Sequence, residues 1–228
     1  MNIFIIIPAY NEEKTISDVV ESLCQKYENV IVVDDGSSDA TGLRAREAGV
    51  LVLRHIVNRG QGAALQTGID YALMHDAECV VTFDADGQHC VDDIPALIAP
   101  IARKEADVVL GSRFLNERGE SKKSIPFFRA LTIKLALLHQ WFFTGLPVTD
   151  SHCGVRAFSR FAAKRITITQ DRMSHASEIL DAVARLQVTY VEVPVHVTYT
   201  AYSLMKGQKG LKGSIRIVYD FFIGRFVS

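Results

Sequence analysis

The stretch Val80-Val81-Thr82-Phe83-Asp84-Ala85-Asp86-Gly87 constrains this chain's fold more than any other. A short, unbroken run of β-forming residues is the pattern of a strand buried on both faces, and such strands belong to parallel sheets covered by helices. The run stops in two carboxylates spaced i, i+2 and then a glycine. It therefore predicts that acids are delivered to the C-terminal edge of the sheet, where ligands of open α/β sheets bind. Two carboxylates this close raise each other's pKa unless a cation lies between them. A divalent metal ion is the natural partner, and the simplest work for it is to hold a diphosphate.

The same pattern recurs along the first half. Residues 2–8 read as a strand and residues 9–13 as the turn into a helix reaching about Lys26, with Asn11 as its expected N-cap. Residues 30–33 form a second strand that also ends in acids and a turn, Asp34-Asp35-Gly36. A third strand at 51–53 leads through the loop Asn58-Arg59-Gly60-Gln61-Gly62 to a helix over 63–74. The central strand at 79–83 is followed by a helix over 92–104 and a strand over 107–111. Strands alternating with helices predict an α/β fold with a mostly parallel sheet and helices on both faces.

The second half has a different character. A polar loop runs to Ser124, and an apolar helix is expected over 126–143. The loop Thr149-Asp150-Ser151-His152-Cys153-Gly154-Val155-Arg156 precedes a helix over 177–186 and a strand over 190–193. A Lys/Gly-rich segment at 206–213 and an aromatic helix over 214–226 close the chain. Without an internal repeat or linker, residues 1–228 are expected to form one domain, with a nucleotide-binding half (1–112) and an acceptor-side half (113–228) ending in an amphipathic helix.

Bulk properties narrow the function. A chain of 228 residues that is 48% hydrophobic can bury a full core, and its formal net charge of −1 excludes the broad basic footprint of a nucleic-acid binder. The four cysteines form no CxxC pair, which suits a reducing compartment and points to the cytoplasm. No apolar run reaches membrane-spanning length, so the expectation is a soluble or peripheral protein, with the two aromatic-bearing helices offering a surface for peripheral membrane contact. A homo-oligomer is compatible with the same apolar faces.

Several motifs carry chemistry. Asn58-x-Gly60-x-Gly62-Ala63 resembles a phosphate-cradling turn, although the third glycine of a dinucleotide fingerprint is missing and a tight structural turn explains it equally. Arg113, Arg129 and Arg156 each sit beside a loop or helix start, and as a set they suggest a second anion site. An apolar strand ending in Asp-x-Asp also suits a hydrolase that uses Asp84 as nucleophile, and a silent nucleotide-binding module is the third reading.

Pro8-Ala9-Tyr10-Asn11-Glu12-Glu13, Val33-Asp34-Asp35-Gly36-Ser37-Ser38-Asp39, Asn58-x-Gly60-x-Gly62, Asp84-Ala85-Asp86-Gly87-Gln88-His89, Gly111-Ser112-Arg113-Phe114 and Cys153-Gly154-Val155-Arg156-Ala157-Phe158 together resemble family 2 glycosyltransferases, in particular the dolichol-phosphate mannose synthase-like branch. The resemblance implies a GT-A fold, a nucleotide-diphosphate sugar as donor, Mg²⁺ or Mn²⁺, and inverting transfer. By the same resemblance, Pro8, Tyr10, Glu12 and Asp35 line the base and ribose, and Asn58, Gly60 and Ala85 join the donor-binding set. Asp84 and Asp86 serve the diphosphate and its metal, with Gln88 as a further metal contact. Arg113 and Arg129 meet an acceptor phosphate, and Arg156 is added to them.

Lys206, in a segment where the synthases carry an acidic Ser-Ser-Lys stretch, is expected to close over the diphosphate. A polyprenyl phosphate is the expected acceptor, because a phosphate monoester with a second pKa of about 6 is already anionic and requires no protein base. A glycan hydroxyl would instead require a carboxylate base, for which Glu178 and Asp150 are the candidates.

Overall fold

The computed structural model describes residues 1–115, 141–142, 144–170 and 175–198. Residues Met1–Val197 form one compact unit. The 214–226 helix, most of the 126–143 helix, Arg129 and Lys206 lie outside the described residues.

Within the described residues the chain runs β1 (Ile3–Ala9), α1 (Ile16–Cys24), β2 (Asn29–Asp34), α2 (Thr41–Glu47), β3 (Leu51–Arg54), α3 (Gln61–Met74), β4 (Cys79–Thr82), a 3₁₀ turn (Val91–Asp93), α4 (Ile94–Ala102) and β5 (Val108–Ser112), then β6 (Arg156–Ser159), α5 (Arg160–Ala163), α6 (His175–Leu186) and β7 (Tyr190–Pro194). The strands form one sheet in the order β3-β2-β1-β4-β6-β5-β7. All neighbours are parallel except β6, which runs antiparallel to both β4 and β5. Because β5 and β7 belong to the same sheet as β1–β4, the division at residue 112 falls inside the sheet.

Alternate strand residues feed two separate cores. Ile5, Ile7, Val30, Val32, Val81, Val109 and Ala157 pack with α1 and α4 residues such as Val20, Leu23 and Leu97. Phe4, Ile6, Ile31, Val33, Val80, Leu110 and Phe158 pack on the other face against α3, α5 and α6. The period of two sends neighbouring apolar residues to opposite faces, which is why these strands carry unbroken apolar runs. α6 is amphipathic, burying Ala176, Ile179, Leu180 and Val183 at helical spacing.

Three local expectations are corrected. Asn11 does not cap α1, which begins five residues later. It adopts φ 54° and its side-chain carbonyl accepts the Ser38 N–H at 3.0 Å, tying the β1 turn to the β2 turn. The helix after the acidic motif begins at Ile94, because residues 91–93 form a separate 3₁₀ turn. Arg156, read as the end of a loop, instead opens β6 (Arg156–Ser159), a strand inside the sheet between β4 and β5 that the sequence reading did not assign. Four residues are too few for periodicity to identify a strand.

Candidate active site

The parallel strands β1, β2, β4 and β5 end at one edge, and β6, running the other way, begins there. Reading across that edge in strand order gives Asp35 after β2, Pro8 to Tyr10 at β1, Asp84 to Asp86 after β4, and His152 to Arg156 at the start of β6. A cavity of about 530 Å³ follows this row, lined by Pro8, Tyr10, Glu12, Asp35, Asn58 and Gly60 at one end, by Asp84, Ala85 and Asp86, and by His152, Gly154, Arg156 and His175 at the other.

At the β2 end Asp35 is buried. Its carboxylate accepts the Arg59 N–H at 2.9 Å and the Gly60 N–H at 2.7 Å, and pairs with His55 Nδ1 at 2.7 Å. His55 Nε2 lies 3.0 Å from the Thr67 hydroxyl, which bonds the Ala63 carbonyl on α3. Gly60, at φ 99°, occupies a conformation costly for any side chain and opens α3. The loop 58–60 lines the cavity as expected. It is not a phosphate cradle, however: two of the N–H groups that would face a phosphate are spent on Asp35.

At the β4 end Asp84 accepts from Gln61 Nε2 at 3.2 Å and pairs with His89 Nε2 at 3.1 Å. Burial pushes its carboxyl up, but the His89 hydrogen bond and the charges of His89, His175 and Arg156 outweigh burial and hold it below the usual range. Asp86 goes the other way, raised by burial and then by the Asp84 charge. Gln88 donates its backbone N–H and its side-chain amide to Asp86, at 3.0 and 2.6 Å. That leaves Gln88 Oε1 as the amide atom able to ligate a cation. The Ala85 carbonyl accepts the Thr15 hydroxyl at 2.8 Å, which anchors the acidic loop to the start of α1.

These residues fit a divalent cation of one particular kind. Among the described residues no group of three or more His, Cys, Asp or Glu side chains could hold a metal alone. A pair of carboxylates whose repulsion raises one of them is the donor set of an ion that draws its remaining ligands from substrate phosphates, as Mg²⁺ commonly does.

At the β6 end Gly154 packs against Asp84 so closely that a Cβ would overlap both carboxylate oxygens. Arg156 is buried, and its guanidinium donates to the carbonyls of Cys153 at 3.1 Å, Ser151 at 3.0 Å and Ala176 at 3.5 Å. This arginine shapes the cavity wall by bracing the 151–154 loop. Three of its five N–H donors are thus bound to the backbone while the residue lines the cavity. Arg113 follows β5 and forms a two-pronged pair with Asp150, Nε to Oδ2 at 2.6 Å and NH2 to Oδ1 at 2.8 Å. Neither residue is among those lining the cavity, but Asp150 also accepts the His152 N–H at 3.2 Å and so joins the pair to the cavity's end.

Glu178 is not brought to the cavity. Its carboxylate accepts the N–H groups of Thr169 and Gln170, each at 2.9 Å, and the Thr169 hydroxyl at 2.5 Å. It stabilises the approach to α6. The residues that sequence reasoning missed are His55, Gln61, His152 and His175. Single histidines and glutamines in loops or at the first position of a helix carry no periodic or spacing signal, and only the fold assembles them.

The Asp150 pair yields a stability prediction. Burial raises the Asp150 carboxyl, but the Arg113 hydrogen bond and charge more than offset this and leave it lowered. A lowered folded pKa contributes stability that is complete above the unfolded value of about 3.9 and is lost as pH falls through the folded value. Asp150→Asn is expected to cost about 2–3 kcal/mol in urea unfolding at pH 7, discounted for the partial exposure of Arg113. The gap between wild type and variant should narrow steadily below about pH 4. A constant gap down to pH 3 would show that the charge contributes nothing.

The fold and its acidic edge together define the class of GT-A nucleotide-diphospho-sugar transferases. Residues 4–167 match the model of the family described as Glycosyl transferase family 2. The chain belongs to glycosyl transferase family 2 and is a glycosyltransferase. It is 37% identical over 235 residues to the UDP-N-acetylglucosamine–dolichyl-phosphate N-acetylglucosaminyltransferase of Methanococcus voltae, covering 92% of this chain and 91% of that protein. It is 29% identical over 220 residues to the polyprenol monophosphomannose synthase of Mycolicibacterium smegmatis, covering 92% and 81%. Among solved structures, it is similar in fold to glucosyl-3-phosphoglycerate synthase from Mycobacterium tuberculosis in complex with Mn²⁺, uridine-diphosphate-glucose and glycerol 3-phosphate. That likeness has a TM-score of 0.63 at 21% identity and covers 90% of this chain and 75% of the other.

Proposed function

We propose that the protein transfers a sugar, with inversion, from a nucleotide-diphosphate donor to a polyprenyl phosphate at a membrane surface. The observation that carries this reading is the order of side chains along the cavity: buried acceptors and Tyr10 at the β1–β2 end, the Asp84–Asp86 pair next, and a basic, histidine-bearing wall at the β6 end. A nucleoside fits the first part, its diphosphate the second and the sugar the third. The names of the relatives from M. voltae and M. smegmatis support both the nucleotide sugar and the polyprenyl phosphate.

In this reading Pro8, Tyr10 and Glu12 receive the base and ribose, and Asp35 does so while bracing the 58–60 loop. Asp86, Asp84 and Gln88 Oε1 would hold Mg²⁺ or Mn²⁺. When bound, the cation supplies Lewis-acid stabilisation of the charge that grows on the leaving diphosphate. Gly154 and Arg156 set the wall against which the sugar is oriented. Arg113 and Arg129 are assigned to the acceptor phosphate and Lys206 to the diphosphate. Trp141 and Phe142, both exposed, offer apolar contact for the lipid or the bilayer surface.

A phosphate acceptor is favoured over a hydroxyl by the state of the two candidate bases. Glu178 is turned away to Thr169 and Gln170, and Asp150 is lowered and bound by Arg113, which makes it a weak base at neutral pH. A phosphate monoester requires neither. The test supplies UDP-N-acetylglucosamine, UDP-glucose and GDP-mannose in turn, with Mg²⁺ or Mn²⁺, and either undecaprenyl phosphate or free oligosaccharides. Sugar label moving into the organic phase with release of nucleoside diphosphate is expected. Transfer confined to oligosaccharide hydroxyls would overturn the acceptor assignment.

A further inference from the structure

We infer that His152 is a specificity-determining residue that reads a hydroxyl of the transferred sugar. This rests on the proposed placement of the sugar at the β6 end of the cavity. His152 lines that end beside Gly154 and Arg156. Its neighbours there are already engaged. Arg156 donates to three carbonyls, and Asp150 is held by Arg113.

The imidazole of His152 is different. Nδ1 lies 2.7 Å from the hydroxyl of buried Ser151, and Nε2 makes no hydrogen bond to any described residue. The backbone on both sides of the ring is fixed, by Asp150 accepting the His152 N–H and by Arg156 gripping the carbonyls of Ser151 and Cys153. The ring is thus aimed by its surroundings while one nitrogen stays available.

The Ser151 hydroxyl gives that nitrogen two modes. When Ser151 donates to Nδ1, Nε2 carries the proton and is a donor. When Nδ1 donates to Ser151, Nε2 is an acceptor. A sugar hydroxyl is itself donor and acceptor, so the pair can complete a hydrogen bond of either sense without ionising. A hydroxyl presented in the epimeric direction would miss Nε2, and the bond with it.

The test uses purified full-length protein, the undecaprenyl phosphate assay above and paired donors that differ at one hydroxyl: UDP-glucose with UDP-galactose, and UDP-N-acetylglucosamine with UDP-N-acetylgalactosamine. His152→Phe is expected to bind UDP with wild-type affinity, since it spares the nucleotide and diphosphate parts of the cavity. It should lower kcat/KM for the preferred donor about three- to tenfold and reduce its discrimination against the epimer by the same factor, the worth of one neutral hydrogen bond. His152→Gln, which keeps a donor and an acceptor, should recover part of the discrimination. A merely structural role would depress both epimers equally and would sink the inference, as would an unchanged ratio. For a guanosine-specific wild type the pair is GDP-mannose with GDP-glucose, and a wild type that neither binds nor turns over any of these donors would overturn the placement of the sugar, and this inference with it. Because His152 is exposed, matching thermal unfolding of wild type and variant is expected, and His152→Gln provides the same comparison should the phenylalanine variant unfold.

Discussion

Asp86→Asn is expected to lower turnover by roughly 10²–10³-fold, the scale of several kcal/mol that a bound cation contributes to a leaving group. The fold should not suffer. Asp86 sits at a cavity rather than in either core, and asparagine retains an acceptor for the Gln88 N–H. Removing a charge that Asp84 already strains should, if anything, relieve repulsion in the metal-free protein. The check is a thermal-shift titration of UDP or GDP with and without Mn²⁺, run beside the kinetics. Wild type should gain stability as RT ln(1 + [L]/Kd), about 2.7 kcal/mol at 100 Kd, and the metal-dependent part of that gain should vanish in the variant. Wild-type turnover at ordinary metal concentration would remove Asp86 from the assignment.

Gly154→Ala should have the second-largest effect, about 10²-fold on kcat/KM, the scale of a misplacement near 1 Å. The added methyl group would occupy the space of the Asp84 carboxylate, which is also held from the other side by Gln61 and His89. Asp84 must rotate away or the 151–155 loop must lift, and either change spoils the pair that Asp84 makes with Asp86. A neighbouring small substitution, Ser151→Ala, places no atom against Asp84 and should be far milder. Metal-dependent nucleotide binding separates the outcomes: loss in Gly154→Ala with retention in Ser151→Ala is expected, and wild-type binding in both would show that Asp84 can move without consequence.

The β1–β4 stretch of the cavity was legible in the sequence because Asp35 and Asp84 each follow the end of a strand. An unbroken apolar run stopping at Asp34-Asp35 or at Asp84 announces both the strand and the edge, so Pro8, Tyr10, Glu12, Asp35, Asp84, Ala85 and Asp86 could be placed on one cavity from pattern and resemblance. The β6 end was not legible in the same way. Arg156 looked like a phosphate-binding arginine because residue type says nothing about what its donors meet, and here they meet backbone. Glu178 looked like a base for the same reason. Asn58-x-Gly60-x-Gly62 looked like a phosphate turn, but its N–H groups close on Asp35, a partner more than twenty positions earlier that no local pattern reveals.

The antiparallel insertion of β6 also governs the order in which the chain can assemble. β4 pairs with β1 on one side and with β6 on the other, in a register that joins Val80 to Phe158 and Val81 to Ala157. Until residue 159 has left the ribosome, the outer edge of β4, a strand buried along its whole length, has no partner, and β5 cannot supply one because it joins only through β6. An uncovered edge of this composition is a template for pairing with another nascent chain. The strand that completes the wall of the cavity therefore also covers the edge of β4, and a chain stopped at Ser112 would carry that edge bare.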